Sequence, residues 1–403
     1  MNFRIGAALA VAISAVSARA KSLPQQLQDP KVIHSASAAE CRLPAVSSVY
    51  LSSGFNVKLD CAPSTGTLSG YMFFVDFSDQ SAPATETPQS LYDFFVPSAS
   101  QWYHNASFGQ LQLNITADTS QFYRMGPRAA SYNWNRGLTS EQHNRYIQDA
   151  LDAYAKGSGN KTIAPVDVLY VVPTRKGTQI SFSPTYLGPV RTRSGVYVAK
   201  SCVTFGTDAY EAWQYKVLNH ETGHTMCLPD LYPENGRTGL WVGGWDMMGY
   251  INGPSPDYFA WNKWRLGWIH DSQVDCITDS GSTTHVISPV EVEGKEGDTK
   301  AVVVKRNNTA ALVAEVRSKS GVDKGACSTG VLLYTVSTNT ATGKGPMRVV
   351  DTNPQSKGCA NDELNGAALN TAGVSSFSVP GWGVKVTVTG QVGDVYNVTI
   401  VVT

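Results

Sequence analysis

Apolar residues follow two different patterns along the chain, and the first pattern mixes strands with helices. Residues 70–79 and 166–172 form apolar runs typical of buried strands, and residues 90–103 carry apolar positions at helical spacing. Thr139, with Gln142 three residues later, matches a capping box and predicts the start of another helix. Strands that alternate with helices favour an α/β region up to about residue 275.

The second pattern begins beyond Cys276 and consists of short runs rich in Val and Thr. No convincing helical periodicity appears in this part of the sequence. The predicted strands cover residues 302–305, 312–317, 331–336, 384–389 and 395–402. Short strands of this kind predict an antiparallel β-sandwich domain over residues 276–403.

The N-terminal residues predict export. Arg4 precedes an almost unbroken run of small and apolar residues over 5–16, and Ala18-Arg19-Ala20 matches the A-x-A cleavage pattern. We therefore expect residues 1–20 to be a signal peptide and the protein to be secreted and extracellular. The apolar run is too short to span a bilayer, and no later segment is long and apolar enough, so we expect no membrane anchor. Residues 21–66 are rich in Ser, Ala and Pro and fit either an N-terminal extension or a short pro-segment.

The overall composition is that of a folded protein without a strong charge bias. The chain has 403 residues, of which 42% are hydrophobic and 16% are charged, which suits two or three domains and argues against disorder. Lys and Arg total 32, as do Asp and Glu, so no global field favours nucleic acid or an anionic membrane. We therefore expect no nucleic-acid partner, and we expect a monomer.

Five N-x-S/T sequons are consistent with the secretory route. Asn114 lies opposite the apolar face that Leu111, Leu113 and Ile115 form on a predicted strand, so a glycan can be tolerated there. Asn397 lies opposite a similar apolar face in the last strand. The predicted glycosylation sites are Asn105, Asn114, Asn160, Asn307 and Asn397.

Seven cysteines also fit an oxidising compartment, in which most of them should be paired. The pairs that sequence order suggests are Cys41–Cys61, Cys202–Cys227 and Cys327–Cys359. This assignment leaves Cys276 over. Other pairings stay open because connectivity is not fixed by one sequence.

The strongest chemical motif is the segment His220-Glu221-Thr222-Gly223-His224. It lies at the end of a predicted helix over 208–225, whose start signal is Thr207-Asp208. His220 and His224 are four residues apart on that helix, so both imidazoles point the same way and can bind one zinc ion. Glu221 lies beside them and can reach a water on the metal without being a ligand. The alternative is a pair of hydrogen-bonded histidines on a buried helix.

A third ligand is predicted after the helix. Leu228-Pro229 ends the helix, because the residue before a proline is disfavoured in the α region. The chain then presents Asp230, six residues after His224, where a carboxylate can complete the zinc site. The alternative for Asp230 is an ordinary loop carboxylate. A glutamate ligand on a later helix is disfavoured, since no Glu occurs between Glu234 and Glu291.

Residues 244–250 (GWDMMGY) resemble the methionine turn of metzincin proteases. In that clan a methionine side chain lies beneath the zinc ion and supports the histidine ligands, which implies this role for Met248. The sequence Met248-Gly249-Tyr250 also resembles the M-x-Y form of the astacin and serralysin branches, in which the tyrosine hydroxyl contacts zinc or the reaction intermediate. The alternative for Tyr250 is an aromatic turn residue packed on the core.

Together with its neighbours, this motif resembles the immune inhibitor A-type family of secreted metalloproteases. The matching stretches are HETGHTMCLPDLY (220–232), GGWDMMGY (243–250), DYFAWNKWRLGWI (257–269), VDFSD (75–79) and FFVPSASQWYHNASFGQLQLN (94–114). The resemblance implies an α/β (α+β) metzincin-like zinc protease domain, which we place over residues 67–275. It also implies zinc as the cofactor and internal cleavage of protein or peptide substrates. We expect one zinc ion per chain, and a calcium requirement stays open.

One position departs from the metzincin pattern. Such motifs usually carry glycine three residues after the second histidine, where the backbone turns sharply, and this chain has Cys227 there. A residue other than glycine with positive φ costs free energy. A Cys202–Cys227 disulfide would hold this turn and so support the site.

The predicted activity is hydrolysis of peptide bonds, with Glu221 as general base and Tyr250 helping zinc to stabilise the oxyanion. Two other classes of function stay open. One is a degenerate protease fold that serves as a surface- or glycan-binding module, although the presence of Glu221 argues against it. The other is a zinc hydrolase that acts on a non-peptide bond.

Overall fold

The computed structural model describes residues 36–211, 213–295 and 297–403. The predicted signal peptide over 1–20 and the first part of the segment 21–66 lie outside the described residues. The described chain is a mixed α and β structure with three sheets. Among these residues, no helix combines the length and the apolar character that crossing a bilayer requires.

A five-stranded sheet lies at the centre of the first half, in the order β2-β1-β3-β5-β4. Its strands are β1 Gly66–Phe77, β2 Leu111–Met125, β3 Val166–Pro173, β4 Thr185–Arg191 and β5 Tyr197–Thr204. β1, β2, β3 and β5 pair in parallel, whereas β4 runs antiparallel to β5 at the edge of the sheet. The predicted runs 70–79 and 166–172 correspond to β1 and β3.

Helices cover both faces of this sheet. α2 Pro88–Ala106 and α4 Tyr215–Thr225 lie on one face and α3 Ser140–Gly157 lies on the other. The described residues also form the short helices α1 Ala38–Cys41 and α5 Ala260–Leu266. In β1, Met72 and Phe74 belong to the core beneath α2 and α4, whereas Phe73 and Val75 belong to the core beneath α3. Side chains alternate across a strand, so a strand buried on both faces needs the continuous apolar run seen in the sequence.

The capping box predicted for α3 is confirmed. The backbone N–H of Gln142 donates to Thr139 Oγ1 at 3.2 Å, and the N–H of Thr139 donates to Gln142 Oε1 at 2.9 Å. The helix predicted over 208–225 is wrong at its start, because a single 3₁₀ turn over Thr207–Tyr210 precedes α4. Gln214, with a φ of +50°, interrupts the helical path between the two.

The second half consists of two packed sheets, in the orders β11-β10-β9-β8-β6 and β12-β13-β14-β7. The strands are β6 Val274–Ile277, β7 Gly281–Ile287, β8 Ala301–Asn307, β9 Ala310–Arg317, β10 Gly330–Ser337, β11 Met347–Val349, β12 Ser376–Val379, β13 Val384–Val392 and β14 Val395–Val402. All neighbours are antiparallel except the parallel pair β6–β8. The antiparallel strands expected from the Val- and Thr-rich pattern are therefore present.

The apolar core is continuous between the two halves. In β9, Leu312 and Ala314 face the third sheet, whereas Ala311 and Val313 belong to the core that also contains α2 and α4. Phe259, just before α5, stacks on Tyr334 of β10 with ring centroids 4.2 Å apart. The second sheet is thus buried on both faces, and the boundary predicted at 275/276 does not separate two independent cores.

Residues 36–65 are built into this body. Cys41 and Leu43 are fully buried, and the indole N–H of Trp261 donates to the carbonyl of Ser53 at 2.8 Å. Cys41 is bonded to Cys276 and Cys61 to Cys227, with Cα–Cα distances of 5.7 Å in both pairs. Packing and two disulfides therefore join the described part of the segment 21–66 to the rest of the chain.

Two of the predicted disulfides are wrong, and Cys276 is paired. Cys327–Cys359 is confirmed, with a Cα–Cα distance of 6.1 Å. Cys202 is buried in the core beneath α3, whereas the chain that follows α4 packs on the opposite face of the sheet, so a Cys202–Cys227 bond would have to cross the sheet. Cys41–Cys61 fails because Cys41 lies beside β6 and Cys61 beside the end of α4.

None of the five predicted glycosylation sites is buried. Asn114 is exposed between the buried Leu113 and Ile115, as its position on β2 predicted. Asn397 is half-buried on β14, and the other three are exposed. Attachment of a glycan stays a prediction at each of the five sites Asn105, Asn114, Asn160, Asn307 and Asn397.

Candidate metal centre

Three side chains converge beside the first sheet. His220 and His224 lie one turn apart on α4, and the Nε2 atom of each is 3.1 Å from the same oxygen, Oδ1 of Asp230. Ligand atoms of His220, Glu221 and His224 also lie within 4.8 Å of one another. The predicted ligands His220, His224 and Asp230 are therefore together, with the predicted base Glu221 next to them.

The spacing of these atoms fits a single bound metal ion. Two ligands at about 2.0–2.2 Å from a tetrahedral zinc ion are roughly 3.3–3.6 Å apart. The two observed nitrogen–oxygen separations of 3.1 Å are close to this value. These two separations are therefore compatible with one ion held by His220, His224 and Asp230.

The hydrogen bonds of the two imidazoles turn their free nitrogens towards Asp230. Nδ1 of His220 lies 2.9 Å from the carbonyl oxygen of Met247, and Nδ1 of His224 lies 2.8 Å from that of Leu228. A carbonyl oxygen accepts only, so each Nδ1 carries the proton and each neutral ring presents a lone pair at Nε2. Lone pairs that face a carboxylate oxygen need a cation between them, which is either a proton or a metal ion.

The electrostatics of the site favour a cation. Although burial lowers the pKa of His224, the carboxylate of Asp230 outweighs this effect and raises the pKa to about 9. Burial raises the pKa of Asp230, but the two histidines hold it well below its ordinary value. A half-buried carboxylate that remains ionised at this point attracts positive charge, whether it comes from protons or from a metal.

The turn that delivers Asp230 is a helix C-cap with a left-handed residue. The N–H of Cys227 donates to the carbonyl of His224 at 2.8 Å, and the N–H of Leu228 donates to that of Gly223 at 3.1 Å, which together form a Schellman motif. Cys227 has a φ of +65°. The positive φ predicted for Cys227 is confirmed, but its disulfide partner is Cys61 rather than Cys202.

The turn over residues 244–250, which resembles a methionine turn, packs against α4 between the two histidines. Met248 is fully buried, and a Cβ atom added to Gly223 would lie 2.5 Å from its Sδ atom. Gly223 therefore allows the close approach of Met248, the residue predicted to support the site. Asp246 Oδ1 accepts the N–H of Met248 at 2.7 Å, which fixes the turn.

Glu221 is almost completely buried, with 7% of its surface exposed. Its carboxylate accepts a hydrogen bond from the hydroxyl of Thr185 on β4, at 2.7 Å from Oγ1 to Oε2. Burial raises the pKa of Glu221. A carboxylate with a raised pKa is a stronger base, so this environment suits proton transfer.

A cleft extends to both sides of Glu221. One side is lined by Trp213, Val217, His220, Tyr250 and Ile251, among others. The other side is lined by Tyr50, Leu51, Thr185, Leu187, His224 and Asp230, among others. Arg136, Phe182 and Tyr232 line both sides, so the two cavities adjoin at Glu221 beside the candidate metal centre.

Two tyrosines share this cleft. Tyr250 lines the same cavity as His220 and Glu221, and its contact with a metal or an intermediate stays a prediction. The ring of Tyr232 lies 5.8 Å from that of His220, measured between centroids. Burial and the nearby carboxylates of Asp230 and Glu221 raise the pKa of Tyr232, so its hydroxyl stays protonated and can donate a hydrogen bond.

Three residues beside the candidate metal centre were not predicted from the sequence. Tyr232 is two positions beyond Asp230, so the motif itself could have indicated it. Thr185 contacts Glu221 from 36 positions away, and Thr342 contacts Asp230 from 112 positions away. No local pattern marks either threonine.

A comparison with models of known protein families finds no match to this chain, and no curated protein matches it.

Proposed function

We propose that the protein is a secreted zinc-dependent endopeptidase of the metzincin type. The convergence of His220 Nε2 and His224 Nε2 on one oxygen of Asp230, with Glu221 beside them, carries this proposal. The stretches that resemble the immune inhibitor A-type family surround the same residues. His220, His224 and Asp230 would hold the zinc ion.

Each residue near the centre has a defined part in peptide hydrolysis. Bound zinc would supply Lewis-acid chemistry, which acidifies the attacking water and polarises the scissile carbonyl. A carboxylate oxygen of Glu221 accepts the proton of that water and then donates it to the leaving amine nitrogen. The hydroxyl of Thr185 holds the Glu221 carboxylate in place, at 2.7 Å. Tyr232 and Tyr250 are among the side chains in the cleft that can donate a hydrogen bond to the oxyanion.

The shape of the cleft supports a polypeptide substrate. β4 pairs with β5 on one side only, and Thr185 and Leu187 of β4 line the cleft. An extended peptide can add to such a strand edge through main-chain hydrogen bonds. Because a cavity borders Glu221 on each side, substrate residues have room before and after the scissile bond, which favours internal cleavage.

The three disulfides support an oxidising compartment, such as the one reached through a signal peptide. Within this proposal, residues 1–20 direct export and the described chain acts outside the cell.

Cleavage of a peptide library by the mature protein tests the proposed function. We expect cleavage between internal residues, loss of cleavage with a zinc chelator, and recovery when zinc is restored. Acyl-ester and N-acetylated substrates serve as the comparison for a non-peptide hydrolase. Turnover of those substrates without any peptide cleavage would contradict the proposal, as would peptide cleavage that no chelator inhibits.

A further inference from the structure

The loop between β10 and β11, residues 338–346, reaches from the C-terminal half to Asp230. The N–H of Asp230 donates to Thr342 Oγ1 at 2.8 Å, and this hydroxyl lies 3.4 Å from Asp230 Oδ2. The N–H of Gly343 donates to the carbonyl of Asp230 at 3.1 Å. Three contacts from one loop therefore meet the backbone and the side chain of a single candidate ligand.

The two oxygens of the Asp230 carboxylate face different partners. Oδ1 faces the nitrogens of His220 and His224, whereas Oδ2 faces the hydroxyl of Thr342. A donor on Oδ2 restricts rotation about the Cβ–Cγ bond and keeps Oδ1 aimed at the centre. Hydrogen-bonded partners of this kind orient metal ligands, and their loss typically lowers metal affinity by about 10–100-fold.

The segment around Asp230 has no regular secondary structure that would fix the position of this residue. Residues 228–231 belong to neither a helix nor a strand. The next residue, Leu231, donates its N–H to the carbonyl of Met248 at 2.8 Å, which ties it to the methionine turn. Asp230 is thus held between the methionine turn on one side and Thr342 on the other.

The loop that carries Thr342 is itself braced. Ser52 Oγ donates to the carbonyl of Thr338 at 2.6 Å, and the N–H of Thr338 donates to the carbonyl of Thr309 at 2.9 Å. The N–H of Val349 donates to the carbonyl of Trp241 at 2.8 Å on the far side of the loop. A loop fixed at both ends can hold a ligand in one geometry, which a mobile loop cannot.

We propose that Thr342 is a positioning residue for the third metal ligand, and that the C-terminal half is therefore part of the metal centre. The proposal rests on the zinc-dependent function proposed above. It goes beyond that function because it assigns to the β-sandwich a direct role in holding the metal. Truncation after the first half would then remove a support of Asp230 as well as part of the shared core.

Three substitutions in the full-length mature protein test this role. Thr342→Val removes the hydroxyl and nearly conserves the volume, whereas Thr342→Ser keeps the hydroxyl. Thr340→Val is the matched control, since the Thr340 hydroxyl contacts Ser337 Oγ at 2.7 Å instead of Asp230. The readout is zinc release in a titration with a competing chelator, followed by a colorimetric zinc indicator, so it does not depend on proteolysis.

We expect Thr342→Val to weaken zinc binding by about tenfold or more, and the other two variants to stay within about threefold of the wild type. Equal zinc binding by Thr342→Val and the wild type would overturn the proposal, as would an equal loss in Thr340→Val. If Thr342→Val does not fold, Thr342→Ala takes its place with the same expectation. A wild-type protein that holds zinc but cleaves no peptide would contradict the proposed function, while the zinc titration would still decide the role of Thr342.

Discussion

The Cys61–Cys227 disulfide and the left-handed backbone at Cys227 act on the same turn, and two double variants separate their effects. Both variants carry Cys61→Ser; one adds Cys227→Gly and the other Cys227→Ala. Glycine adopts a φ of +65° without steric cost, whereas alanine in the left-handed region costs about 1–2 kcal/mol. Glycine also gains more entropy on unfolding, so the net difference is about 1 kcal/mol in favour of the Gly variant.

Both double variants lose the unfolding free energy that the Cys61–Cys227 disulfide contributes. In the unfolded chain, the shorter route between Cys61 and Cys227 passes through the intact Cys41–Cys276 bond and covers about 70 residues. The loop-entropy estimate for such a loop is about 4 kcal/mol. We therefore expect the Ala variant to lose about 4 kcal/mol of unfolding free energy and the Gly variant about 3 kcal/mol.

Urea unfolding under non-reducing conditions, followed by tryptophan fluorescence, measures these differences. Zinc binding supplies a second readout, because the turn at Cys227 leads directly to Asp230. We expect the Gly variant to keep zinc and the Ala variant to bind it more weakly. An Ala variant as stable as the Gly variant would contradict this expectation, since it would mean that the backbone at position 227 is not held in the left-handed region.

Two further predictions concern the packing around the site. Gly223→Ala places a Cβ atom 2.5 Å from Met248 Sδ, so we expect a loss of about 1–3 kcal/mol in urea unfolding, and no loss would contradict the close contact. Cys202 is buried, and its burial raises the pKa of the thiol to about 12, so alkylation and mass mapping should find it unmodified in the native protein and modified after unfolding without reduction. Rapid alkylation of Cys202 in the native state would contradict its placement.

Local patterns in the sequence predicted the elements whose signals are local. The capping box of α3 needs only Thr139 and Gln142, and the alternating strand over 395–402 needs only its own side chains. The start of α4 was missed because Gln214 takes a positive φ, which no residue type in that segment demands. A positive φ at a residue such as glutamine is uncommon and has no signal in a window of sequence.

The residues of the candidate site also divide into those that local sequence predicted and those that it did not. His220, Glu221, His224 and Asp230 lie within eleven residues, so helix periodicity and one proline place them together. Thr342 reaches the site only because the loop between β10 and β11 lies beside the turn after α4. Cys61 reaches Cys227 only because the segment before β1 crosses to the end of that helix. Contacts across such distances depend on the order of strands in the sheets, which the sequence pattern did not specify.

A paired measurement of zinc content and casein hydrolysis for the wild type and Glu221→Gln tests the proposed zinc peptidase at its centre. We expect about one zinc per chain in both proteins, because Glu221 is not a ligand, and a fall in hydrolysis of at least about a hundredfold in the variant. A variant that cleaves casein at the wild-type rate would contradict the role of Glu221 as the base, and a wild-type protein without zinc would contradict the metal centre.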